Sequence, residues 1–205
     1  MVQFHIMPEK TALLGVDLQN CFVEGSPIAA PAGPQVVTSL NRLASKMRDA
    51  GCPIIWTRHV VRPDHANVGT LGMTVEPVQH GVIDENAPSS ALSNRVDRHD
   101  TDILLLKPQF GAFYGTDLET ILRSKGIDTV VIGGIATNFC CETTAREAHA
   151  REFKTIFLSD GTATFDMPDL GYGPVSAADA QRATLGALAF GFAEIASVDN
   201  VASRI

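Results

Sequence analysis

Cysteine is scarce in this 205-residue chain, and its four copies, Cys21, Cys52, Cys140 and Cys141, form no C-x-x-C pair. That excludes a disulfide framework of the secreted type, and with it the zinc-ribbon and thioredoxin-like redox patterns. Long apolar runs are also missing: none approaches the ~20 residues of a membrane-spanning helix. The opening "MVQFHIMPEK" has no basic stretch followed by an apolar one, so it does not read as a signal peptide. Positive charge is outnumbered, 16 Lys and Arg against 23 Asp and Glu, and no basic run offsets the net −7. Nucleic acid and membrane surfaces are therefore not expected as partners. The chain contains no G-x-G-x-x-G after a strand, no P-loop, no G-x-S-x-G and no H-E-x-x-H, so no cofactor is expected. These absences together fit a protein of a reducing cytoplasm.

What is present is an ordinary globular balance, 45% hydrophobic and 19% charged residues. The length suits a single domain, 1–205, large enough to bury a full core without staples. Short apolar runs alternate with helical patterns. "TALLGVD", "CPIIWT", "DILLLK", "DTVVIGG", "KTIFLSD" and "EIASVD" read as six strands. Between them, Val37, Leu40, Leu43 and Met47 recur at helical spacing in a segment closed by Gly51. "TDLETILRSKG", with Thr116 or Asp117 near its start, and "SAADAQRATLGALAFGFA", with Ser176 as cap, are two further helices. "TNFCCETTAREAHARE" is another. Strands joined by helices of this length pair in parallel, and near-continuous apolar strands suit a sheet covered on both faces. The expected fold is α/β, a Rossmann-like three-layer α/β/α sandwich with a mostly parallel sheet of about six strands. Residues 61–98 and 163–174, rich in Gly, Pro, Asp and Asn, read as long loops that form lids or pocket walls.

Sites in parallel sheets gather beyond the carboxyl ends of the strands. Those ends carry Asp17, Lys107 and, at the start of the helix after the fourth strand, Cys140. Singly, such residues are most often a turn former, a solvated charge and a small buried hydrophobe. Jointly they assemble an acid, an ammonium and a thiol on one edge. A helix N-terminus and a nearby ammonium both favour a thiolate at Cys140. Asp17 could take the thiol proton and return it to a leaving amine. The small residues of "GGIAT" let backbone approach a ligand closely. Cys141 lies about 100° further round the helix and is expected in the core.

The segments "LLGVDLQNCFVEGSP", "KPQFGAFYGTDL" and "GGIATNFCCETTAREA" together resemble the isochorismatase-like cysteine hydrolase superfamily. That group includes nicotinamidases, N-carbamoylsarcosine amidases and ureidoacrylate or biuret-type amidohydrolases. The resemblance spans nearly the whole chain, from about residue 11 to 199. It implies an Asp–Lys–Cys triad of Asp17, Lys107 and Cys140, with an oxyanion hole from the N–H groups of Ala136 and Cys140. It further implies a non-proline cis peptide between Ile135 and Ala136, and assembly as a homodimer or homotetramer.

Two departures narrow the reading. Nicotinamidases hold a divalent metal through an Asp and two His after the second strand. Here "TRHVVRPDHANVG" supplies His59, Asp64 and His65 without the D-x-H spacing, and no metal site is expected. Isochorismatases proper, which cleave a vinyl ether, tend to lack the cysteine. The expected activity is thus hydrolysis of a small amide, ureide or carbamoyl compound through a thioester, releasing ammonia or an amine. An ether hydrolase and a catalytically silent binding subunit stand as alternatives. Asn20, Phe22, His59, Phe113 and Tyr114 are the expected substrate-binding residues, and Gln19 could orient substrate or the Asp17 carboxylate.

Overall fold

The computed structural model describes residues 2–205. Its six strands are β1 (Thr11–Val16), β2 (Ile54–His59), β3 (Ile103–Lys107), β4 (Thr129–Ile135), β5 (Lys154–Ala163) and β6 (Glu194–Ala196). All pair in parallel in one sheet of order β3-β2-β1-β4-β5-β6. The helices are α1 (Asn20–Val23), α2 (Gly33–Asp49), α3 (Leu71–Thr74), α4 (Glu76–Gln79), α5 (Leu118–Ser124), α6 (Glu142–Ala150), α7 (Ala177–Gly191) and α8 (Val198–Ser203).

Alternation along β1 divides the core in two. Leu13 packs with Val36, Leu40 and Leu43 of α2 and with Val198 and Val201 of α8. Ala12, Leu14 and Val16 face the other way, onto Leu118 and Leu122 of α5, Ala145 and Ala148 of α6, and Leu188 of α7. A strand's side-chain period of two, with helices supplied to both faces, makes the three-layer sandwich. Gly15 clears room for the β2 neighbour: a Cβ there would meet the Trp56 ring at 2.2 Å. The expected helical positions Val37, Leu40, Leu43 and Met47 are all buried, and the Ser176 hydroxyl caps α7 by accepting from the Asp179 N–H at 3.1 Å.

Several expectations are corrected. The second strand runs on to His59, and the fifth to Ala163. The sheet is not covered on both faces throughout: at its edge, Leu104 and Leu106 of β3 are 36% and 41% exposed. Residues 61–98 are not one structureless loop. They contain α3, α4 and a 3-10 turn at Pro88–Ser90, and bury Val61, Leu71, Val78 and Ile83 around Cys21 in a third core. Short apolar spacings set by a local cluster carry no periodicity long enough to read as helices. A terminal helix, α8, follows the sixth strand, its start capped by Ser197.

Strand order reverses between β1 and β4, and such a reversal opens a crevice beyond the strand ends. The two backbones are close there: Gly134 has φ +135°, and a Cβ on it would fall 2.0 Å from the Val16 carbonyl oxygen. Among the described residues no helix is long and apolar enough to cross a membrane.

Candidate active site

Asp17 leaves β1 in the left-handed region, φ 51°, a conformation that Asp tolerates better than most residues. Thr57 on β2 holds it there. The Asp17 N–H donates to the Thr57 hydroxyl at 3.1 Å, and that hydroxyl donates to Asp17 Oδ1 at 2.5 Å. The other carboxylate oxygen, Oδ2, lies 2.7 Å from Lys107 Nζ, at the end of β3. Lys107 spends its directed hydrogen bonds on the carbonyls of Gln109 and Phe110, at 2.8 and 2.9 Å, as the chain turns back around it. Oδ2 therefore has an ion-pair partner but no donor of regular hydrogen-bond angle. Both side chains are fully buried.

Cys140 completes the cluster from the β4 side. The chain leaves β4 through a cis Ile135–Ala136 peptide, then makes a π-helical turn, Thr137–Cys141, before α6. The Ala136 carbonyl accepts from the N–H groups of Phe139 and Cys141, at 3.2 and 3.1 Å, passing over Cys140. Carboxylate, imidazole and thiol atoms of Asp17, His59 and Cys140 all lie within 4.8 Å of one another. His59 Nδ1 is 4.0 Å from Cys140 Sγ, and its Nε2 has no hydrogen-bond partner.

The electrostatics correct one expectation. Burial pushes the Cys140 thiol up, Lys107 pulls it down and Asp17 raises it again; the net direction is upward, which favours the neutral thiol. Desolvation outweighs one ammonium already shared with a carboxylate, a direction that runs against the expected thiolate. Burial pulls Lys107 down, but the charge of Asp17 beside it outweighs this, and the net direction is upward. His59 is held down to about 3, by burial first and Lys107 second, and is neutral.

Asp17, His59 and Cys140 form a trio of metal-ligand types, yet the Lys107 ammonium lies against the Asp17 oxygen that a cation would need. A divalent ion there would have to displace or sit beside that ammonium, which works against binding. The other loop residues are engaged elsewhere: His65 Nε2 lies 2.8 Å from Asp84, and Asp64 pairs with Arg62.

Cys140 and Ala136 lie on the wall of a cavity of about 280 Å³, and Phe22 and His59 line it too. Three expected substrate contacts lie elsewhere. Asn20 is exposed and donates to the Pro88 carbonyl at 2.9 Å, a bond to a turn 68 residues away. Phe113 is buried against Phe153, ring centres 5.8 Å apart, under Arg151. Tyr114 points outward, 63% exposed. Gln19 secures His59, accepting from its N–H at 2.6 Å and donating to its carbonyl at 3.0 Å. Cys141 is buried in the core, as expected.

Residues that sequence reasoning did not single out include Thr57, a polar residue inside an apolar strand and so a detectable signal. Phe139, Phe165 and Met167 on the wall carry no such mark.

The comparisons agree with this geometry. Residues 11–200 match the isochorismatase domain model. Nicotinamidase 3 of Arabidopsis thaliana is 33% identical over 192 residues, covering 93% of this chain and 86% of the plant protein. Ureidoacrylate amidohydrolase RutB of Methylorubrum extorquens is 31% identical, covering 80% of this chain and 74% of its own. A cysteine hydrolase from Pseudomonas syringae pv. phaseolicola superposes with a TM-score of 0.95 at 34% identity, covering 99% of this chain and 95% of that one. With the sheet order, the domain match and these relatives in agreement, the chain belongs to the isochorismatase family and is a hydrolase of that family.

Proposed function

We propose that the protein is a cysteine-dependent amidohydrolase that cleaves a small amide to an acid and ammonia or an amine. The observation that carries this reading is the convergence of Asp17 and Cys140, with the Asp17 oxygen nearest Lys107 left without a regular hydrogen-bond donor. That oxygen takes the thiol proton while the Lys107 ammonium stays against it.

Because the resting sulfur is a thiol, attack and deprotonation go together. Sγ of Cys140 bonds to the substrate carbonyl carbon while Asp17 Oδ2 accepts the thiol proton. The carbonyl oxygen becomes an oxyanion, received by the N–H groups of Ala136 and Cys140. Collapse breaks the C–N bond, and the Asp17 proton goes to the departing nitrogen. Asp17, again a carboxylate, deprotonates a water that attacks the thioester. The acid leaves, and the proton returns to Cys140. Lys107 lies against the Asp17 carboxylate and screens its charge from the developing thiolate. Thr57 fixes the carboxylate's orientation.

The relatives support the reaction type: two named ones are a nicotinamidase and a ureidoacrylate amidohydrolase. The test is ammonia release from a panel of small amides by wild type and by Cys140→Ala. Loss of at least ~10⁴-fold in the variant is expected for a removed nucleophile. Turnover of a vinyl ether that survives in Cys140→Ala points to ether hydrolysis, and silence of the wild type on every substrate points to a binding subunit.

A further inference from the structure

We infer that the substrate is a neutral amide with an apolar acyl group, not one that carries a carboxylate. This rests on the amidohydrolase reading and adds to it the chemistry of the part of the substrate that does not react.

The cavity contains no cationic side chain on its wall. The one ammonium behind it, Lys107, is fully buried and already paired with Asp17. Held inside the cavity, away from the exposed Thr74 and Leu170, a substrate carboxylate would lose water and gain no counter-ion, which is costly for a buried charge. The wall instead carries a row of rings. His59 meets Phe110 edge-on at 5.7 Å, Phe110 lies 5.8 Å from Phe139, and Phe139 stacks on Phe165 at 5.9 Å. Aliphatic residues of α3 and α4, among them Leu71 and Val78, continue the apolar surface.

Polar side chains on the wall are few. Two polar side chains join Cys140 in the lining, His59 and Thr74. The Thr74 hydroxyl is taken up by the Thr70 carbonyl at 3.2 Å. The His59 ring lies beside the sulfur, with Nδ1 4.0 Å from Cys140 Sγ. The carboxamide therefore belongs at the Cys140 and His59 end, and the remainder of the molecule lies along hydrocarbon. At ~30 Å³ for each water-sized group, 280 Å³ holds about nine such groups, the size of a six-carbon or phenyl-bearing primary amide.

The experiment compares straight-chain primary amides from acetamide to hexanamide, phenylacetamide, and the matching carboxylate-ended monoamides such as that of adipic acid. For wild type, kcat/KM should rise about fourfold per added methylene until the cavity is full. Hexanamide should exceed adipic acid monoamide by at least about a hundredfold. Thr74→Arg, placing a cation on the wall, should narrow that ratio by at least about tenfold. Binding to Cys140→Ala, measured by calorimetry, separates the two readings. If no amide is turned over but hexanamide still binds better than the monoamide, the specificity stands and the hydrolytic reading fails. If the carboxylate-ended compound is used or bound as well as the neutral one, or if neither binds, the inference is overturned.

Discussion

Lys107 Nζ lies 2.7 Å from Asp17 Oδ2, and neither side chain is reached by solvent. An ion pair so placed matters mostly for what its breaking leaves behind. Lys107→Met should cost about 3–5 kcal/mol in urea unfolding, because a carboxylate is stranded in the interior. Lys107→Met combined with Asp17→Leu should recover much of that stability and none of the activity. A single-variant loss below about 1 kcal/mol would mean that the pair is not buried as described.

The Cys140 thiol should be protonated at neutral pH. Ultraviolet difference absorbance between wild type and Cys140→Ser should show no thiolate at pH 7. Cys21 and Cys52, pushed up to about 12 and about 11 by burial, add none either. A thiolate band at pH 7 that vanishes in Cys140→Ser would restore the resting anion expected from helix position and the nearby ammonium.

His59 ties stability to acidity. Its ordinary value of 6.5 is lowered to about 3 by burial and Lys107. Below 6.5 the unfolded chain binds a proton that the folded one refuses until about pH 3. The contribution of neutral His59 is therefore complete above 6.5 and falls with decreasing pH across that window, by ~1.4 kcal/mol per unit. His59→Phe should flatten the dependence of unfolding free energy on pH between 6 and 4.5, relative to wild type. Parallel slopes for the two proteins would show that His59 is charged in the fold.

Thr57 both accepts from and donates to Asp17. Thr57→Val keeps the volume but orphans both groups, at about 1–3 kcal/mol of stability. It should also lower kcat by roughly 10–100-fold with little change in KM, since a mis-set base is felt in proton transfer. Thr57→Ser should restore most of kcat. Equal damage from Val and Ser would assign Thr57 to packing alone.

Asp17, Lys107 and Cys140 are legible in the sequence because a parallel sheet brings strand ends together, and strand ends can be read from apolar runs. His59 is legible for the same reason once β2 is extended by two residues. Contacts set by distant chain are not: Asn20 is drawn away by Pro88, and the next-door positions Phe113 and Tyr114 face core and solvent. That residues 61–98 and 163–174 wall the cavity is legible, and Leu71, Val78 and Phe165 do so; which of their side chains face inward comes from packing, not period. The protonation state of Cys140 is a matter of burial depth, which residue spacing does not encode.

The most direct measurement is acid-quenched mass spectrometry of the protein during turnover of a slowly hydrolysed amide. The expected result is a mass increase equal to the acyl group minus one hydrogen, mapped to the peptide containing Cys140 and absent from Cys140→Ser. Steady ammonia release with no such adduct, and persisting in Cys140→Ala, would contradict the thioester route.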